Sequence, residues 1–289
     1  MKNVAGSGGK WLEVSAERLP GWIASFAVRH GVSDPPAGSG EALTVAVGDD
    51  HVSFTAQDGA VAQCYPPFLP AGGMTALLEE VTPPSRLQDP DVFDHPAAAG
   101  FGQQGGPDDP AVIAEAVAAH ARKPRTVGVL LVRLGGYAAG VFTGYPPVLG
   151  DAKVGSRPVH GRSAAGGWSQ HRFARRREKQ ASEALSAAAD AAVMIFGQAG
   201  ATVRSTSQKR ATTSGAAAAG RPQPRTTRLD AVVLGGDRRA VADLREDPRL
   251  APYFALATER FLTVPDPKRA VLLEAAKQFT AVRIWLTEP

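Results

Sequence analysis

The spacing of apolar residues changes several times along the chain, and each change marks an element. Between Ser15 and His30, the residues Leu19, Trp22, Ile23 and Phe26 recur every three or four positions, which predicts a helix with one apolar face. Gly31 and the Pro35-Pro36 pair stop it. Alternation follows in Leu43–Val47, His51–Ala56 and Val61–Tyr65, three strands parted by Gly48-Asp49-Asp50 and Asp58-Gly59, which are hairpin turn residues. Residues 82–110 are rich in Pro, Gly, Asp and Gln and read as a connection. The expected organisation is a small α+β N-terminal domain with its linker, residues 1–105, and a second domain over 106–289.

The second section opens with a short helix around Ala111–Arg122. Val127–Leu134 is an apolar run whose length and branched residues predict a buried strand. Gly135-Gly136 turns the chain into a partner strand, Tyr137–Thr143, and a third edge segment leads through Val148 to Pro158. A long helix runs to about Gly197, with Ala181, Leu185, Ala188, Ala192 and Ile195 as its core-facing stripe. Residues 199–227 are low-complexity Ala, Gly, Ser, Thr, Arg and Gln without periodicity, and read as a disordered insertion. A strand (Leu229–Leu234), a helix opened by Gly235-Gly236-Asp237, a strand (Phe261–Val264), a helix (Asp266–Gln278) and a strand (Thr280–Leu286) complete the pattern. A meander followed by alternating helix and strand predicts a mixed sheet flanked by helices, so the class is α/β, or α+β over the whole chain.

At 289 residues and 44% hydrophobic content, two cores are affordable. No run of about 18 apolar residues occurs and residues 1–10 lack the apolar stretch of a signal peptide, so the expectation is a cytoplasmic protein with no membrane contact. A single cysteine, Cys64, excludes an internal disulfide and a cysteine-built zinc site, and its strand context marks it as packed rather than reactive.

Charge changes the picture more. The net charge is only +4, yet residues 151–228 carry fourteen Lys or Arg against four Asp or Glu, which leaves the rest of the chain with a net of about six negative charges. Eleven of the fourteen are arginine, the better binder of phosphates and bases. Such a segment is expected to meet a polyanion, because each neutralised phosphate releases counterions.

Candidate chemistry concentrates inside that segment. Ser163 to Gly167 form a tip of small residues, and the adjacent Gly166 and Gly167 accept backbone angles closed to other residues. Trp168 can stack on a base, and the neutral amide of Gln170 follows Ser169. Arg162 precedes the tip. Arg172, Arg175 and Arg176 recur at helical spacing with Arg177 and Lys179 beside them, the pattern of a phosphate-binding ridge. His160 and His171 lack a carboxylate or cysteine partner in sequence and read as surface or core residues rather than general bases. Carboxylates with metal-ligand spacing, a Gly-x-Ser-x-Gly elbow, a phosphate-binding Gly-Lys-Ser/Thr loop and His-Glu-x-x-His are absent, so no metal or cofactor is expected. Gly235-Gly236-Asp237 reads as a tight strand-to-helix turn with Asp237 as the cap.

The succession His160-Gly161-Arg162, Gly166-Gly167-Trp168-Ser169-Gln170 and Arg172-Phe173-Ala174-Arg175-Arg176-Arg177 resembles the mark of the actinobacterial branch of the Vms-like release-factor (VLRF) family. The likeness extends from Lys10–Val14 and Arg29–Gly31 through Val129–Gly136 to Leu234–Arg239. It implies a peptidyl-tRNA hydrolase with an RNase H-like catalytic domain akin to the middle domain of eukaryotic and archaeal release factors. Gly166 and Gly167 would be the loop glycines and Gln170 the catalytic glutamine, preceded by Ser169. Arg162, Trp168, His171, Arg172, Arg175, Arg176, Arg177 and Lys179 would contact RNA. The implied partners are the large ribosomal subunit and peptidyl-tRNA, with the protein a monomer. This chain has His171 where a second glutamine would be expected, and Trp168-Ser169 separates glycines from glutamine. The alternative from another class is a non-catalytic module that docks on ribosomal RNA through the same basic segment.

Overall fold

The computed structural model describes residues 8–31, 43–81, 109–133, 135–156, 169–208 and 229–289, and in the long helix the side chains of residues 179–198. Among them are ten strands and seven α-helices, arranged as two five-stranded sheets in two compact units. The first unit holds residues 1–123 and 280–289, and the second holds 124–279.

In the first unit, β1 (Gly9–Val14), α1 (Leu19–His30), β2 (Leu43–Val47), β3 (Val52–Ala56), β4 (Val61–Tyr65), α2 (Gly73–Val81) and α3 (Pro110–Ala121) are joined by the last strand of the chain, β10 (Val282–Thr287). The order is β1-β10-β4-β3-β2, antiparallel throughout. Period-two alternation puts Val52, Phe54, Ala62, Cys64, Ile284 and Leu286 on the buried face, together with Leu19, Ile23 and Phe26 from α1. Cys64 is fully buried and its thiol is pushed far above the ordinary range by that burial, so it is a packing residue.

The second unit contains β5 (Arg125–Arg133), β6 (Gly136–Gly144), β7 (Val148–Ser156), α4 (Ser169–Gln208), β8 (Ala231–Gly236), α5 (Arg238–Leu244), α6 (Ala251–Phe254), β9 (Ala257–Leu262) and α7 (Arg269–Thr280). Its sheet has the order β7-β6-β5-β8-β9, with β5, β6 and β7 an antiparallel meander and β8 and β9 parallel to β5. Both faces of this sheet are covered, which is why β5 reads as a continuous apolar run rather than an alternating one. Even-numbered residues of β5, among them Leu130 and Val132, pack with Ala188, Ala192, Ile195 and Phe196 of α4 and Val241 and Leu244 of α5. On the other face Phe142 meets Phe279 of α7 edge-on at 5.4 Å between ring centroids.

Glycine fits α4 closely to the sheet. A Cβ on Gly128 would lie 3.0 Å from the Phe196 ring, so the missing side chain is the socket for that ring. Gly236 has φ +100°, and a Cβ there would sit 2.1 Å from the Val132 carbonyl oxygen; the tight turn that follows lets the Asp237 amide donate to that oxygen at 2.7 Å. Asp237 then caps α5 by accepting from Arg239 N at 2.8 Å, as read from the sequence.

Four expectations are corrected. The strand read at Thr280–Leu286 does not join the mixed sheet: as β10 it lies between β1 and β4 of the first sheet. The helix read at Ala111–Arg122 packs on α1 and α2, so the first unit runs past the boundary drawn near 106. The long helix continues through residues 199–208, part of the stretch read as disordered, and residues 209–227 lie outside the described residues. The strand read at Phe261–Val264 begins earlier, at Ala257. β1 and α2 were not anticipated at all; β1 is six residues at an edge, with only Val14 buried.

Two outcomes follow. Phe196→Ala empties the socket over Gly128 and should cost about 3–5 kcal/mol in urea unfolding of the second unit. Asp58 in the β3–β4 turn is held below the usual carboxylate range by the Ala60 amide and then by His30. Its contribution is therefore present above the ordinary carboxylate pKa and lost as pH falls through the depressed value. Thermal melts of wild type and Asp58→Ala should differ at neutral pH and converge in acid.

Candidate nucleic-acid interface

α4 has two different parts. Its middle is rooted: Ala188, Ala189, Ala191, Ala192, Ile195 and Phe196 are buried against β5 and β6, and small side chains let the helix lie close to the sheet. Arg249 ties the same stretch to the loop before α6, donating to Asp190 at 2.7 Å and to Asp247 at 2.7 Å. Those two carboxylates hold the guanidinium well above its ordinary value, Asp247 first. Both partners of the Arg249–Asp190 pair are about half exposed, so the pair orients more than it stabilises.

The first half is built from different residues. From Ser169 to Ala188 the helix rises about 28 Å at 1.5 Å per residue, and no described residue before Ala188 is fully buried. Ser169 and Gln170 occupy the first turn. His171, Arg172, Arg175, Arg176 and Arg177 follow within the helix, and Lys179 is exposed. Arg162, Gly166, Gly167 and Trp168 lie outside the described residues, as does His160. The sequence reading therefore splits in the structure: the glutamine and the basic positions share one helix, which starts immediately after Trp168.

Helical phase separates the positions further. Counting back from Ala188 at about 100° per residue, positions 172, 175, 176 and 179 fall roughly 120–180° away, on the side of α4 opposite its sheet-facing stripe. Position 170 lies roughly five turns from Ala188 and returns to the same phase. Position 177 returns to within about 20° of that phase as well, so the helical count sets positions 172, 175, 176 and 179 opposite position 170 and leaves 177 on its side.

The first four N–H groups of a helix have no acceptor within it, and the macrodipole places a partial positive charge there. In α4 these donors begin at Ser169, and the first turn contains no acidic residue. Cations clustered at that end work against the dipole, an arrangement that an anionic ligand would relieve. Charge is divided the same way between the units: the first has eight Lys or Arg against sixteen Asp or Glu, and the second has twenty-four against twelve.

Residues 125–285, more than half of the chain, match the family model described as Actinobacteria/chloroflexi VLRF1 release factor. The chain belongs to that family. The VLRF1 match begins at the first residue of β5 and ends inside β10, so it takes in the whole described sheet of the second unit and all of α4. No curated protein matches the chain. Membership of the VLRF1 family gives the chain a release-factor-like role and implies interaction with the ribosome.

Among the described residues no group of three or more His, Cys, Asp or Glu is disposed to hold a metal ion, and no helix is long and apolar enough to cross a membrane. An apolar groove in the first unit, lined by Pro20, Ile23, Ala27, Leu43 and Pro110, carries one carboxylate, Asp109, already engaged in capping α3 through Ala111 N at 2.7 Å. It offers no chemistry.

One surface escaped the sequence reading. On the face of the first sheet away from Phe54 and Cys64, Trp11 lies 5.1 Å from Trp285 and 5.3 Å from Tyr65, and His51 stacks on Tyr65 at 4.9 Å between ring centroids. The only signal in sequence was the aromatic residue type at Trp11, Tyr65 and Trp285, which no local pattern gathers onto one surface.

Proposed function

We propose that this protein hydrolyses the ester of peptidyl-tRNA held on a stalled large ribosomal subunit, with Gln170 at the reacting centre and Gly166, Gly167 and Ser169 shaping the tip that carries it. The observation that supports this reading best is the position of Gln170 in the first turn of a 40-residue helix whose middle is fixed to a sheet. That construction is suited to reaching into a narrow, RNA-lined site.

The second sheet supports the fold that the reading requires. An antiparallel meander followed by two strands parallel to its first member, with helices on both faces, is the RNase H-like pattern that we assign to this catalytic domain. The nuclease chemistry associated with such a layout needs clustered carboxylates, and β5 and β8 present apolar residues instead.

The chemistry asked of the protein is modest because the substrate is an activated ester. A water oxygen adds to the carbonyl carbon, the tetrahedral intermediate collapses, the bond to the ribose oxygen breaks, and the proton lost by water ends on that oxygen. Water must be aligned and the developing oxyanion must be met by hydrogen-bond donors. The side-chain amide of Gln170 does not titrate near neutral pH, and the N–H groups of the first turn of α4 are donors without helical acceptors. Arg172, Arg175, Arg176, Arg177 and Lys179, with Arg162, Trp168 and His171 nearer the tip, would hold the helix in register through ribosomal RNA contacts that do not read sequence.

Two measurements bear on this. Gln170→Ala should abolish peptide release from isolated large subunits carrying peptidyl-tRNA while association with the subunit stays close to wild type. Unchanged release would remove Gln170 from the mechanism, and absence of release by the wild-type protein despite salt-sensitive binding would favour the non-catalytic RNA-binding module. Replacing Arg172, Arg175 and Arg176 together by glutamine should weaken subunit binding and reduce the slope of log affinity against log salt by about 2 to 3. An unaltered slope would place the phosphate contacts elsewhere.

A further inference from the structure

The first unit bears a surface that the release chemistry does not use. Trp11, Trp285 and Tyr65 come from three adjacent strands, β1, β10 and β4, and share the face of the sheet opposite its core. Trp11 stands directly across from Trp285, and the next row in register sets Glu13, Arg283 and Tyr65 side by side. Trp11 remains 45% exposed, unusual for a residue of this size. The Arg283 guanidinium lies 4.1 Å from the centre of the Trp11 ring, so this aromatic row already accepts a cation against its faces. The row is edged by carboxylates: Glu13 lies opposite Arg283, and Asp50 pairs with His51 at 2.7 Å.

We propose that this face docks a lysine- and arginine-rich segment of a partner protein, the Trp11–Trp285–Tyr65 row receiving its cationic side chains. Charge selects that partner over nucleic acid. Among the described residues of the unit ten are acidic and six basic, so its field attracts a polycation and repels a phosphate backbone. Aromatic residues clustered with an arginine are the side chains that dominate binding energy at protein interfaces. The proposal is independent of the peptide-release reading, which rests on α4.

The test uses the full chain, an oligoarginine peptide as the polycation and oligouridylate as the competing RNA. Affinities would be measured by tryptophan fluorescence and calorimetry, and folding checked by circular dichroism. Wild type should bind the peptide, more weakly as salt rises. Trp11→Ala, with the charge of the protein unchanged, should weaken that binding by about tenfold. Glu13→Lys should weaken it as well while leaving the rings in place, and it decides the matter should Trp11→Ala fail to fold. Equal affinity of folded Trp11→Ala and wild type, or of Glu13→Lys where only that variant folds, overturns the proposal. Oligouridylate binding that depends on Trp11 overturns it too, in favour of a base-stacking surface.

Discussion

The seat of α4 on β5 and β6 is the contact on which the functional reading depends. A long helix is useful as a rigid arm only when part of it is immobilised, and here immobilisation comes from close approach. Four buried alanines, with Ile195 and Phe196, face Leu130, Ala139 and Val141, and Gly128 opens the space that the Phe196 ring fills. Large side chains at the alanine positions would lift the helix off the sheet; polar ones would bury unpaired donors or acceptors. Beyond Leu185 the same helix continues toward Ser169 with a composition dominated by arginine, lysine, glutamine and serine. One element therefore carries both the anchor and the reach.

Much of this was legible before any coordinates. The 3.6-residue stripe Leu185-Ala188-Ala192-Ile195, the continuous apolar run Val127–Val132 and the glycine turn after it specify a buried strand and a helix packed on it. The contrast in charge between residues 151–228 and the rest was visible in composition, and the structure resolves it into an acidic and a basic unit. Asp237 as a cap was readable because a carboxylate ahead of a helix has few other uses.

What was not legible has physical causes. The membership of β10 depends on pairing with β1 and β4, partners more than two hundred residues away, and local periodicity carries no information about partners. β1 was hidden because an edge strand with one buried residue has no hydrophobic pattern to read. The extension of α4 past Gly197 was hidden because alanine, serine and threonine suit both a helix and a low-complexity stretch. The site divided along the same line. Helical phase sets positions 172, 175, 176 and 179 opposite position 170 and leaves 177 on its side, a relation invisible in a list of neighbours but fixed once the helix starts at Ser169.

The placement of β10 also orders events during synthesis. The first sheet is interrupted between β1 and β4 until the chain returns from α7, so its hydrogen-bond ladder cannot close while the nascent polypeptide is still emerging. The second unit, continuous in sequence, has no such wait. A ribosome that halted late in this message would leave a finished basic unit trailing an acidic one with a slot open in its middle, so the protein would acquire its aromatic face last.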